Sequence, residues 1–90
     1  MKRIRWNAEK NETLRRQRGV TFQEVVHHIE NDNILDRRHH PNQARYPRQK
    51  VFVVDLGRCV YLVPFVENDD EIFLKTIIPS RKAKKEYRDE

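Results

Sequence analysis

The sequence predicts an α+β domain: a small antiparallel sheet with two N-terminal helices and a C-terminal helix. Three observations lead there. Residues 8–30 carry helix start and stop signals around segments rich in helix formers. From Lys50 the period changes to runs of β-branched and aromatic residues, "KVFVVDL", "RCVYLVPFVE" and "EIFLKTIIP". Past Pro79 the chain returns to helix formers in "RKAKKEYRDE". Ninety residues fit one domain, 1–90.

Each element has its own signal. "RIRW" reads as a short opening strand with Ile4 and Trp6 on one face. Asn7 is a suitable N-cap for "AEKNETLRRQR", which Gly19 stops. The apolar stripe of that helix is thin, little more than Ala8 and Leu14, so it lies on the surface and shows Lys10, Arg15, Arg16 and Arg18. In "VTFQEVVHHIE", Thr21 and Glu24 form a capping box, and Val20 with Val25 forms a hydrophobic staple. Phe22, Val25, Val26 and Ile29 then share one apolar face.

From Asn31 to Arg48 the chain reads as turn-rich and polar, with "NILD" suited to a short strand. Leu56-Gly57 marks a hairpin turn and "ENDD" a polar turn. The middle run is apolar on both faces, which makes it the central, doubly covered strand, and Pro64 predicts a bulge or bend in it. Pro79 ends the last strand and Ser80 caps the final helix. The helices are expected on one face of the sheet.

Composition narrows the setting. Hydrophobic residues make up 37% of the chain and charged residues 37%, so the core is small and a tight partner would add to its stability. No apolar run approaches the ~18 residues that cross a bilayer, and nothing apolar follows the basic opening "MKRIRWNAEK" as in a secretory signal. The single cysteine, Cys59, has no disulfide partner in the chain, which fits a reducing compartment, and it stands within an apolar run. The expected location is cytoplasmic, with no membrane partner.

The net charge of +5 is unevenly spread. Lys2, Arg3, Arg5, Lys10, Arg15, Arg16 and Arg18 form a first block, Arg37, Arg38, Arg45, Arg48 and Lys50 a second, and Arg81, Lys82, Lys84, Lys85 and Arg88 a third. These blocks are expected to converge on one positive surface, which points to a polyanion or an acidic protein.

Metal chemistry has little support. His27-His28 and His39-His40 are adjacent pairs, and neighbours on a helix point about 100° apart, so they cannot chelate from one face. No metal and no cofactor is expected. Phosphate chemistry fits better. The last helix starts with free N–H groups beside Arg81 and Lys82, and its 3.6 period puts Arg81, Lys84, Lys85 and Arg88 opposite Ala83 and Tyr87. Metal-free RNA cleavage needs a base for the 2′-OH, cations for the phosphorane charge and an acid for the leaving 5′-oxygen. The candidate catalytic residues are His40 or His39 for proton transfer with Arg45 and Arg81. Lys82, Lys85, Arg48 and Lys10 are the candidate RNA- and phosphate-binding residues. Tyr46 suits either stacking on a base or anchoring its loop.

The stretch "WNAEKNETLRRQRGVTF" resembles the opening of the BrnT family of type II toxins, with Trp6, Lys10, Gly19, Val20 and Phe22 at its marked positions. "PSRKAKKEY" is similar to the closing segment of that family through Arg81, Lys82, Ala83 and Glu86, although Tyr87 here follows Glu86 directly. The resemblance implies a RelE-like fold and a ribonuclease that arrests translation. It further implies a cognate antitoxin, commonly with a ribbon-helix-helix DNA-binding part, so that operator DNA is met only through the complex. The competing reading is a basic module that binds RNA or an antitoxin without chemistry.

Overall fold

Caps and hydrophobic periodicity place most of the secondary structure. A computed structural model describes residues 2–88, the Arg88 side chain excepted. The order is β1 (Arg3–Trp6), α1 (Ala8–Arg18), α2 (Phe22–Glu30), β2 (Asp36–His39), β3 (Lys50–Asp55), β4 (Val60–Glu67), β5 (Glu71–Leu74), β6 (Ile78–Pro79) and α3 (Arg81–Arg88). Asp89 and Glu90, included in the predicted last helix, lie outside the described residues. No helix among the described residues is long and apolar enough to cross a membrane.

The N-terminal helices begin and end as their signals require. Asn7 accepts from the Lys10 N–H at 2.9 Å, and Gly19 closes α1 in the left-handed region at φ 68°. Thr21 and Glu24 form the reciprocal capping box of α2. Replacing Thr21 by alanine removes half of that box, and we expect a loss of about 1 kcal/mol. Urea unfolding should show a lower midpoint at unchanged slope.

The sheet runs β1-β5-β4-β3-β2, with β6 pairing β4 beside this path. Four pairings are antiparallel. The expectation of a wholly antiparallel sheet is corrected at β1, which lies parallel to β5 from Arg3↔Glu71 to Trp6↔Leu74. Most of the chain serves as the long crossover that a parallel pair demands. The predicted last strand is split. β5 pairs β4 at residues 65–67 and β6 pairs it at 61–62. The break falls opposite Pro64, which has no N–H to give; its carbonyl accepts from the Lys75 N–H at 2.8 Å. A further strand, β2, forms where a polar turn region was expected; "NILD" leads into it, and the strand itself is Asp36–His39.

Alternation along β3 and β4 sends side chains to two faces. Phe52, Val54, Tyr61, Val63 and Phe65 meet Leu14, Val20, Phe22 and Val25 of the N-terminal helical region in the main core. The Phe52 and Phe65 rings stack at 4.0 Å, and each buried phenylalanine contributes about 2–3 kcal/mol. On the other face Val53 and Val60 pack with Ala83, flanked by Leu62 and Tyr87. Helices therefore cover both faces, not one, and β4 is the doubly covered strand because α3 lies behind it.

Glu67 gathers three cations at the sheet margin. Lys2 approaches it at 2.9 Å and Lys50 at 3.2 Å, and Arg37 forms a third pair. The Arg37 guanidinium also lies over the Phe52 and Phe65 rings, 5.7 and 5.4 Å from their centroids. The hydrogen bond from Lys2, followed by those from Arg37 and Lys50, holds the Glu67 carboxyl at about 2 against an opposing desolvation.

Candidate nucleic-acid interface

The segment between β2 and β3 is tied to itself. The His40 N–H reaches the Gln49 carbonyl at 3.0 Å, continuing the β2–β3 ladder past the strands. The Tyr46 N–H donates to the Asn42 carbonyl at 2.9 Å, and the Arg45 N–H donates to Asn42 Oδ1 at 3.2 Å. Inside this frame the His40 and Tyr46 rings meet at 4.5 Å, and the Arg45 guanidinium stands 5.5 Å from the Tyr46 ring. Tyr46 thus organises the loop, with His40 on one side and Arg45 in contact. Arg45 and Arg48 are exposed.

Sequence left His39 and His40 as alternatives, and the strand geometry separates them. His39 pairs with Lys50 and is exposed on the side of the sheet that carries Phe65. His40 is the one beside Tyr46. Its Nδ1 accepts from the Asn42 N–H at 3.0 Å, so the neutral ring bears its proton on Nε2. His28 is turned inward to its own helix, with Nδ1 at 2.9 Å from the Glu24 carbonyl.

α3 presents the second group of cations. Ser80 caps it, accepting from the Ala83 N–H at 3.1 Å through its hydroxyl and from the Lys84 N–H at 3.1 Å through its carbonyl. Ala83 is buried and Tyr87 half-buried, which turns Arg81, Lys82 and Lys85 to solvent. The end of the helix is clamped to β2. Tyr87 donates its hydroxyl hydrogen to Asp36, and Arg38 reaches Glu86 and the Tyr87 oxygen, each at 3.2 Å. The Tyr87 bond and then the Arg37 N–H hold the Asp36 carboxyl below its usual range, while the bond to Asp36, with burial, pushes the Tyr87 hydroxyl up. Nothing in composition marked Tyr87 as this anchor.

Ion pairing sorts the three basic blocks. Arg15 pairs with Glu12, Arg5 with Glu71, Arg38 with Glu86, and Lys2, Arg37 and Lys50 with Glu67. Arg18 gives a hydrogen bond to the Ile77 carbonyl at 2.6 Å. Among the described residues, Arg45, Arg48, Arg81, Lys82, Lys84 and Lys85 form no ion pair. Sequence counts positive charges, but it does not show which of them distant acids neutralise.

Two placements bear on the expected site. Arg81 lines a cavity of about 390 Å³ with Cys59, Val60, Ser80 and Lys84, where β3 ends and β4 begins. The 40–49 loop leaves from the opposite end of the ladder, beside Lys50↔Phe65. Five residue steps along a strand separate the two ends, about 16 Å. The loop that carries His40 and Arg45 thus leaves one end of the ladder while Arg81 stands at the other, and neither His40 nor Arg45 lines the cavity beside Arg81. Lys10 rides on α1, which covers the face of the main core, while α3 lies on the other face. Cys59 stands just ahead of β4, half-exposed, rather than inside a strand.

What the fold does join is one face. Asp36 and Arg38 turn their side chains to α3, and His40 follows in the same alternation. The exposed cations of α3 and the His40–Tyr46–Arg45 group are thus two ends of a single side of the sheet. No protein-family model, curated protein or solved structure matches the chain.

Proposed function

We propose that the chain is the toxin of a type II toxin–antitoxin pair, of the BrnT kind its sequence resembles: a metal-independent endoribonuclease that cuts RNA in the cytoplasm and so inhibits translation. The observation that supports this reading is the set of exposed cations without ion pairs on one face, ending at exposed Arg45 beside the half-buried His40 and Tyr46 rings. An RNA strand supplies what such a face lacks, namely phosphates for the cations and a base for the Tyr46 surface. In the cut itself, the 2′-oxygen attacks the adjacent phosphorus and the 5′-oxygen leaves. Arg45 and Arg48 offset the charge of the phosphorane; His40 carries one of the two proton transfers, from the 2′-hydroxyl or to the 5′-oxygen, and water carries the other. A cognate antitoxin, bearing acidic groups and a DNA-binding part, covers the same face.

One contact favours a second reading, a basic module that binds RNA or antitoxin without cutting. The lone pair of neutral His40 is engaged by the Asn42 N–H, and proton transfer at that ring requires the bond to open. Incubation of the purified protein with single-stranded RNA in a metal chelator separates the two. Fragments ending in cyclic or 2′/3′-phosphates support the nuclease; a retarded but intact RNA band supports the binding module and overturns the nuclease. Antitoxin binding should weaken by about tenfold or more as salt rises from low to physiological levels, because the attraction is screened within ~10 Å at 0.1 M. Titration calorimetry across salt concentrations measures it, and a flat response would point to an apolar contact.

A further inference from the structure

We infer that the α3 face and the 40–49 loop hold one RNA strand at two separated points, so that the protein recognises a minimum length of single strand rather than a dinucleotide step alone. The inference rests on the RNA-binding reading above and adds to it a footprint. Its basis is the placement of two cation groups at opposite ends of the β3–β4 ladder. Arg45 and Arg48 stand at the Lys50 end of the ladder and Arg81 at the Val60 end. Lys82 and Lys85, exposed on α3, belong with Arg81 to the second point. The helix runs from Arg81, beside Val60, to Tyr87, bonded to Asp36 on the edge strand. It therefore crosses to the edge strand, which leads from Asp36 through Arg38 and His39 into the loop.

The two ends of the ladder lie about 16 Å apart along the strands, a span of on the order of five nucleotides at the ~3.4 Å spacing of a stacked strand. A shorter oligonucleotide reaches one end only. A longer one reaches both, and its second contact forms at the high effective concentration set by the first. An RNA strand fits this layout better than an acidic peptide does, because one end of the track offers an aromatic ring with a guanidinium beside it.

The test uses the whole chain and single-stranded oligonucleotides with 2′-O-methyl groups, which bind but cannot be cut, in lengths from trinucleotide to dodecanucleotide. Fluorescence anisotropy should show weak, nearly constant affinity below about five nucleotides, then a rise of at least ~10-fold over the next few. Two double variants, Arg45→Ala/Arg48→Ala and Arg81→Ala/Lys85→Ala, change only exposed side chains. Each should return the dodecanucleotide to trinucleotide-like affinity, with an unchanged circular dichroism spectrum. A smooth increase from the shortest length, or a dodecanucleotide indifferent to the α3 variant, overturns the two-point footprint while leaving RNA binding in place. No binding at any length removes the proposed function as well. Equal affinity for polyglutamate of matching charge assigns the face to an acidic polypeptide and also overturns the footprint.

Discussion

Replacing His40 by alanine should lower RNA cleavage by about 10²–10⁴-fold and RNA affinity by far less. The range is that of a positioned acid or base removed from a reaction. The reasoning is local. His40 is the histidine in contact with Tyr46 and near Arg45, whereas His39 points to the other side of the edge strand beside Lys50. His39→Ala is therefore the matched control, with cleavage expected within about threefold of the parent, as for a surface change away from the chemistry. Cleavage rates from single-turnover gels, beside anisotropy for binding, give both quantities. Equal losses in the two variants would show that the loop contributes charge and shape but no proton transfer. A large loss in His39→Ala alone would reverse the assignment.

The second large effect concerns stability. Glu67→Ala should destabilise the domain by about 1–2 kcal/mol, because it leaves Lys2, Arg37 and Lys50 near one another without their shared carboxylate. The same group governs acid sensitivity. The ordinary value of a glutamate carboxyl is 4.5 and the fold holds this one at about 2. Its contribution is thus complete above about pH 4.5 and disappears as pH falls toward 2. The side chain is 15% exposed, so solvent removes only part of the effect, although its partners, about 40% exposed, reduce it. Urea unfolding at pH 7 and at pH 3 measures the difference. The parent should lose markedly more stability over that interval than Glu67→Ala does. Equal losses would mean that the three contacts contribute nothing net.

Local chemistry made much of this fold legible. Asn7, Gly19, Thr21 with Glu24, and Ser80 announce helix boundaries through hydrogen bonds made within a few residues, and the structure contains each of them. The runs around Phe52, Val63 and Leu74 announce strands because their apolar residues find a core on either face. Features that depend on distant partners were not legible. β2 consists of "DRRH", with no apolar residue to report it. It is held instead by β3, by Glu67 at thirty residues' separation from Arg37, and by Tyr87 at fifty-one from Asp36. The position of α3 behind the sheet rests on Ala83 and Tyr87 alone, too few apolar residues to show which face they seek.

The candidate site divides the same way. Its residue types were visible, and so was the loop that carries His40, Arg45 and Arg48. Its assembly was not. Glutamates far along the chain take Arg37 and Arg38 out of the free positive surface, and the hairpin register puts Arg81 at the other end of the ladder from the loop. Lys10 has the same formal charge as Lys82, yet it rides on α1, across the sheet. Counting cations along the chain cannot distinguish these cases, because a pairing partner or a sheet face is a property of the fold.

Backbone amide chemical shifts recorded during titration with a dodecanucleotide of single-stranded RNA test the central claim most directly. The account predicts changes that cluster in residues 40–49 and 81–87, with α1 and the Lys10 amide silent. Changes confined to α1 and β1, with the loop and α3 unaffected, would contradict it.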